Sequence, residues 1–371
     1  MQALRIYAGP KALAHIRANG LKPEHIDVIP GAAGGPKGLI LGPLDRFLFG
    51  EWLTQSTQPI DLVGASIGAW RMSTACLNTP VESLLRLEHD YIHQHYDVPA
   101  GQKRPTAQQV SEEFGRSLQA FYGGRITEVL QHPRYRLHVV TSRGKHILQH
   151  EHSLLTPLGY AGAFLSNMVQ RPWMEAWLER VVFSSGQTPE KSQVKSAAVA
   201  SQQMTHPLPF NTNDFATQQF ALTEYNFMQA VQASCAIPFV LQAVHDITGA
   251  PKGAYWDGGI TDYHLHLNYK GLVLYPHFQQ AVVPGWLDKS LKWRHKATAF
   301  LDNTIVLAPN PEWVKTLPNG KLPDRTDFFT YGSDLSARVK VWNTAVAQSQ
   351  QLVDEFSAWL IDADPLHVHP L

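Results

Sequence analysis

Asp61 to Leu77 read DLVGASIGAWRMSTACL: a short apolar strand over Asp61 to Val63, a tight turn at Gly64 to Gly68, and a helix-forming run over Ala69 to Leu77. Within it, Gly64-Ala65-Ser66-Ile67-Gly68 matches G-x-S-x-G, in which a serine occupies a strained strand-to-helix turn. Small residues two before and two after that serine let backbone cross close to backbone. An apolar strand before the motif and a helix former after it are what such a turn requires. Ser66 is therefore the candidate nucleophile. Its rival reading is a structural turn.

Working outward, the preceding segment repeats the pattern. HIDVIPGAAGGPKGLIL runs from a strand at Ile26 to Ile29, through a glycine-rich loop, into a helix beginning near Pro36. Two successive β-loop-α units predict a parallel sheet layered with helices. The loop Gly31-Ala-Ala-Gly-Gly-Pro-Lys-Gly38 lets consecutive N–H groups converge on one point, and the helix start adds positive potential, so it can hold an anion. That anion is an oxyanion or a phosphate. A nucleotide loop fits less well, because G-x-G-x-x-G is absent and Lys37 lacks the following Ser or Thr of a P-loop. Ser66 one unit later favours the oxyanion.

Further along, Leu4 to Gly9 reads as a short strand or turn, followed by a helix over Lys11 to Asn19 closed by Gly20. Helical patterns fill about 80–130. Tyr135 to Ser142 and Phe215 to Leu222 read as strands, and Glu224 to Ala233 as a helix that Pro238 cannot continue. Gly271 to Pro276 and Thr304 to Pro309 are strands that stop at proline, and one long amphipathic helix is expected over about 335–360. A polar stretch runs from Ser184 to Ser201. Leu154 to Phe183 concentrates Leu, Phe, Met and two Trp. Phe164, Leu165 and Met168, and then Trp173, Met174 and Trp177, stand at helical spacing, so each half could present one apolar face, either to the core or as a lid and acyl-binding wall. No linker or repeat divides the chain, which reads as one domain over 1–371.

Trp256-Asp257-Gly258-Gly259, after a hairpin around Gly249 to Gly253, supplies the third motif. Alone, D-G-G is commonly a turn. In the order glycine loop, G-x-S-x-G, D-G-G, the chain resembles the patatin-like phospholipase family over about residues 26 to 310. That resemblance implies a three-layer α/β/α sandwich with a central, mostly parallel sheet. It also implies cleavage of a lipid ester by a Ser66–Asp257 dyad without histidine, with Gly34, Gly35 and the Ile67 amide as oxyanion hole. Lys37 matches the loop's basic residue and Gly38 its closing glycine, while Gly64, Gly68, Gly258 and Gly259 complete the motifs. ASCAIPFV (Ala233 to Val240) resembles the small-residue helix end that precedes the aspartate strand. The chain departs from the family pattern at Ala33, which fills a glycine slot, after D-G-G, where ITDYHLHL lacks the usual Asn and Pro, and in its additional N-terminal helix.

Two other readings share these motifs. His264, His266 and His277 follow Asp257, so a Ser-Asp-His triad is compatible with chain order; a lipid-binding protein that kept the fold without catalysis is the other. Composition narrows the partners. Lys plus Arg balance Asp plus Glu at 31 each, so no global field draws the chain to nucleic acid or an anionic membrane, and any transient membrane contact must be local and apolar. No signal peptide or membrane span is legible, and a cytoplasmic protein is expected. Two cysteines, Cys76 and Cys235, exclude a disulfide framework. Four His-x-His pairs, at His93, His150, His264 and His367, lack a nearby Cys or carboxylate at ligand spacing, so neither metal nor cofactor is expected. Ester class, acyl length and oligomeric state stay open.

Overall fold

The computed structural model describes residues 2–96, 98, 105–186 and 206–371. Eleven strands appear among them: β1 (Leu4–Ala8), β2 (Val28–Gly31), β3 (Ile60–Ala65), β4 (Tyr135–Gly144), β5 (Leu178–Ser184), β6 (Thr217–Ala221), β7 (Val244–His245), β8 (Ala254–Asp257), β9 (Val273–Pro276), β10 (Thr304–Pro309) and β11 (Val368–Pro370). They form one sheet in the order β11-β1-β10-β9-β2-β3-β4-β5-β6, with β8 added to β4 and β7 to β8. Neighbours from β10 through β9, β2 and β3 to β4 run parallel. β1 is antiparallel to β10, and β5 to β4. The fold is α/β, with a mostly parallel central sheet and flanking helices.

Burial explains why these segments are strands. Every residue of β2, β3, β8, β9 and β10 is buried, which a strand achieves only when both faces of the sheet are covered. Their sequences accordingly read as continuous apolar runs rather than alternating ones. The Gly9 turn leads directly from β1 into the helix Pro10–Asn19, and Gly20 takes positive φ at its end, as expected of a glycine stop. The expected helical region supplies three helices, Pro80–His93, Ala107–Tyr122 and Ile126–Leu130.

Several expectations differ from what is observed. After the glycine loop the chain forms a tight 3-10 stretch, Gly35–Leu41, before the α-helix Gly42–Phe47, because Gly35 and Gly38 disfavour a regular α-helix there. The C-terminal run is two helices, Leu335–Gln348 and Gln350–Leu360, joined at Ser349. The buried Ser349 hydroxyl donates back to the Val346 carbonyl at 2.7 Å, competing with the helix ladder there. Leu154 to Phe183 is neither two helices nor one apolar layer. It comprises the helix Leu155–Val169, a 3-10 turn Arg171–Ala176 and the strand β5. Trp173 is exposed, Met174 is buried and Trp177 is half-buried against the helix, so the three do not share a face. From residue 187 onward, the polar stretch beginning at Ser184 lies outside the described residues.

Among the described residues no helix is long and apolar enough to cross a membrane.

Candidate active site

Strand β4 brings the two key motifs together. Its N-terminal half pairs with β3, placing Ala65 opposite Val140, and its C-terminal half pairs with β8, placing Asp257 opposite Thr141. Residues adjacent on one strand thus hold Ser66, which follows Ala65, beside Asp257. The Ser66 hydroxyl donates to Asp257 Oδ2 at 2.6 Å, and both residues are buried. The other carboxylate oxygen accepts the Gly259 N–H at 2.7 Å, fixing its orientation.

Ser66 sits at φ 57, a left-handed conformation costly for a side chain other than glycine. Close packing around it enforces the turn. A Cβ on Gly68 would fall 1.8 Å from the Gly31 carbonyl oxygen, and one on Gly64 would lie 2.4 Å from the Ala69 Cα. Gly38, by contrast, meets only ordinary contacts, so sterics do not demand glycine there. A further clip has no motif to mark it in the sequence: Ser234 accepts the Ser66 N–H at 3.0 Å and donates to the Val140 carbonyl at 2.7 Å. It lies in the quoted ASCAIPFV segment, whose small residues were its only signal. Beneath the elbow helix Ile67–Ala75, Arg71 and Asp45 form a buried two-pronged ion pair with both bonds at 2.7 Å.

The glycine loop closes over this turn. Ala33 N–H donates to the Tyr263 carbonyl at 2.9 Å, and the ring of Phe278 occupies the space a Cβ on Gly34 would need. Gly35 has φ +58, with Tyr91 Oη and Arg325 Nε near it. Among the described residues the N–H groups of Gly34, Gly35 and Ile67 find no backbone acceptor. The second glycine of D-G-G packs here as well: a Cβ on Gly259 would approach the Ala33 methyl to 2.7 Å, while one on Gly258 would fall 2.1 Å from the Val140 oxygen. Lys37 places its ammonium 5.4 Å from the Phe278 ring centre.

Electrostatically the carboxylate is unusual. Burial pushes Asp257 up to about 6, against the lowering influence of the Ser66 hydroxyl, Arg325 and the Gly259 amide. Complete burial disfavours the charged form, and no cation forms an ion pair with it among the described residues. Chemically, the pair can pass a proton from a hydroxyl to a carboxylate inside a buried site, next to amides without a backbone acceptor that can receive a developing negative charge.

The three histidines after Asp257 lie elsewhere. His264 is buried, its Nδ1 accepting the Val283 N–H at 3.0 Å, and burial holds it well below its ordinary value. His277 packs against it, ring centres 4.4 Å apart, pushed down to about 3 by burial. His266 bonds Thr298 and is pushed to about 4 by burial. None contacts Ser66 or Asp257. No group of three or more His, Cys, Asp or Glu side chains among the described residues is placed to hold a metal ion.

No family model matches the chain, and no curated protein matches it significantly. Among solved structures, the crystal structure of VipD from Legionella pneumophila is similar at a TM-score of 0.36 and 15% identity, over 95% of this chain and 70% of that one. At that score the likeness carries no argument about activity. The site's chemistry rests on its own geometry.

Proposed function

We propose that this protein is a serine acyl hydrolase that cleaves a carboxylic ester of a lipid. The observation that carries the reading is the 2.6 Å hydrogen bond from the Ser66 hydroxyl to the buried Asp257 carboxylate. Ser66 attacks the ester carbonyl as its proton passes to Asp257 Oδ2. The amides of Gly34, Gly35 and Ile67 receive the oxyanion, and loss of one such donor costs roughly 100-fold in rate. Collapse of the tetrahedral intermediate expels the alcohol, which takes the proton from Asp257, and leaves an acyl-Ser66. Water then attacks the acyl group with Asp257 again as base, releasing the acid and restoring the serine. An aspartate raised towards neutrality is a better base for this than one at its ordinary value. The buried dyad, with no histidine hydrogen-bonded to it among the described residues, favours this route over a triad.

The lipid half of the reading is supported by the surface of the helix Leu155–Val169. Its inner face packs through Tyr160, Ala163 and the half-buried Phe164, while Leu158, Leu165, Met168 and Val169 face outward. Tyr160 meets both Trp256, next to Asp257, and the exposed Phe239, ring centres 6.0 Å apart in each case. A chain of aromatic packing contacts thus links the exposed Phe239 to the neighbourhood of the dyad, and the outward apolar stripe of the helix is suited to transient contact with a lipid aggregate.

A fluorophosphonate probe tests the chemistry. Wild-type protein should be labelled and release fatty acid from long-chain esters, and Ser66→Ala should do neither. Labelling that persists in Ser66→Ala, or an unlabelled and inert wild type, would sink the reading.

A further inference from the structure

The last turn of the helix Pro80–His93 brings one phenol, Tyr91, against the glycine loop. Its hydroxyl oxygen lies 3.5 Å from where a Cβ on Gly35 would stand. Tyr91 also borders a cavity of about 30 Å³ that Gly38, Ile67, Leu84 and Leu87 help to line, room for roughly two waters. The phenol is thus in reach of Gly35 and Ile67, two of the three residues whose N–H groups find no backbone acceptor.

Packing fixes the ring and leaves its oxygen unbonded. Trp70, on the elbow helix, and Trp342, on the helix Leu335–Gln348, each have ring centres 6.4 Å from it, the second stacked at 29°. The helix that carries Tyr91 is itself anchored by the buried Leu84 and Leu87 and by Glu88, which meets Arg46 at 2.7 Å. Among the described residues the Tyr91 hydroxyl makes no hydrogen bond, although Arg325 Nε comes within 3.1 Å of the same point beside Gly35. A ring held by packing with a free polar tip is a preorganised donor, which stabilises charge without having to move. Burial pushes the phenol up to about 12; Cys235 and Asp257 add to the rise, and Arg325 and Arg338 oppose it. At that value the group is useless as a base and keeps its proton wherever Asp257 can accept one.

We propose that the Tyr91 hydroxyl is a side-chain member of the oxyanion hole, donating a hydrogen bond to the charged oxygen that forms when Ser66 attacks the ester. This rests on the hydrolase reading and adds a catalytic residue to it. No proton is transferred from the phenol. Its bond strengthens as the carbonyl oxygen gains charge and weakens as the carbonyl re-forms, once in acylation and once in deacylation.

Tyr91→Phe keeps the ring between Trp70 and Trp342 and removes only the oxygen. With p-nitrophenyl butyrate, kcat should fall roughly 10- to 100-fold while KM stays within about twofold, the split expected of an interaction made only in the transition state. Affinity for octyl trifluoromethyl ketone, which Ser66 converts to a tetrahedral oxyanion, should fall by the same factor, with an unchanged melting temperature. A kcat within about twofold of wild type, or an unaltered affinity for the ketone, overturns the proposal and leaves the dyad standing.

A second measurement needs no turnover: calorimetry of decanoate and decanol binding to Ser66→Ala, with and without Tyr91→Phe. The carboxylate can place one charged oxygen where the oxyanion would form. A preference for decanoate that Tyr91→Phe reduces by roughly tenfold, the loss expected for one hydrogen bond to a charged group, supports the donor even if wild type hydrolyses no ester. In that case the hydrolase reading fails alone. In a protein that hydrolyses no ester, equal binding of the two amphiphiles, or a preference indifferent to Tyr91→Phe, overturns the donor as well.

Discussion

Asp257 and Asp262 are both buried carboxylates flanking one short helical turn, Gly259–Asp262, yet the chain treats them in opposite ways. Burial would raise Asp262, but Arg180, which bonds both its oxygens at 2.6 and 2.7 Å, and Arg171 hold it below the ordinary carboxylate range. Asp257 has a serine hydroxyl, a backbone amide and the charge of Arg325 without an ion pair, and burial prevails, pushing it up to about 6. The same turn thus carries a carboxylate committed to holding structure and another left able to exchange a proton. Unpaired burial of a charge is costly, and such sites mark chemistry more often than architecture.

The sharpest way to break this comparison is to neutralise each member. Asp257→Asn should lower kcat by about 10,000-fold, as should Ser66→Ala, because a dyad acts as a unit. Both variants should give wild-type circular dichroism. Asp262→Asn should instead act on the fold. Removing its main partner is more severe: Arg180→Met leaves Asp262 buried with only the longer 3.4 Å contact to Arg171, and should cost about 3–5 kcal/mol in urea unfolding. If Arg180→Met were as stable as wild type while Asp257→Asn unfolded, the two roles would be reversed.

Titration sharpens it further. A carboxyl whose value rises on folding favours the native state most below its unfolded value near 3.8, and loses that margin as pH rises through about 6. Asp257→Asn should therefore be more stable than wild type at pH 8, on the order of 2 kcal/mol, with the gain vanishing near pH 4. Asp262, depressed on folding, contributes in the opposite sense, with stability lost as pH falls below the ordinary carboxylate range. Activity should track Asp257 alone: kcat/KM should fall about tenfold per pH unit below 6. A flat profile down to pH 4.5 would remove Asp257 as the base.

These two carboxylates also show how much was legible. Ser66 and Asp257 stand in short motifs whose glycines are required by backbone contacts within the motif or its immediate partner strand, so local sequence carried them. Asp262 and Arg180 escaped notice because their pairing joins β5 to a turn 82 positions away, and nothing local marks an arginine as buried. The strand β5 itself was hidden by Glu179 and Arg180, charges that broke the apolar pattern although both are buried. The parallel character of the core followed from two β-loop-α units, whereas its strand order and the antiparallel β5 and β8 additions depend on long-range pairing. Ser234 is intermediate. Ser234→Ala removes the clip on the Ser66 amide and should lower kcat about tenfold while costing about 1 kcal/mol, a difference that rate and urea measurements resolve separately.

The smallest effect on the dyad, and the one that tests lipid contact, comes from the helix Leu155–Val169. Both sides of the comparison grip it: Tyr160 packs on Trp256 beside Asp257, and Asn167 donates at 2.8 Å to Asp288, which Arg171 joins to the Asp262 side. Its outer stripe touches neither. Leu158, Leu165, Met168 and Val169 recur at helical spacing on that stripe, and Trp173, 57% exposed, follows it. Trp177 differs, since its ring lies against Gly162 and its indole donates to Ser166 at 3.0 Å. Trp177→Ser should accordingly cost a few kcal/mol through lost packing. Leu165→Ser with Trp173→Ser should leave stability within about 0.5 kcal/mol, as for exposed positions without special contacts. If the stripe meets lipid, the double variant should retain turnover of a short soluble ester and lose at least roughly tenfold on vesicles of a long-chain ester, because even one apolar side chain buried in lipid contributes about 1.5–3 kcal/mol to partitioning. Equal loss on both substrates with a lowered melting temperature would assign the stripe to the fold, and leave the apolar path through Tyr160 and Phe239 without an outer end.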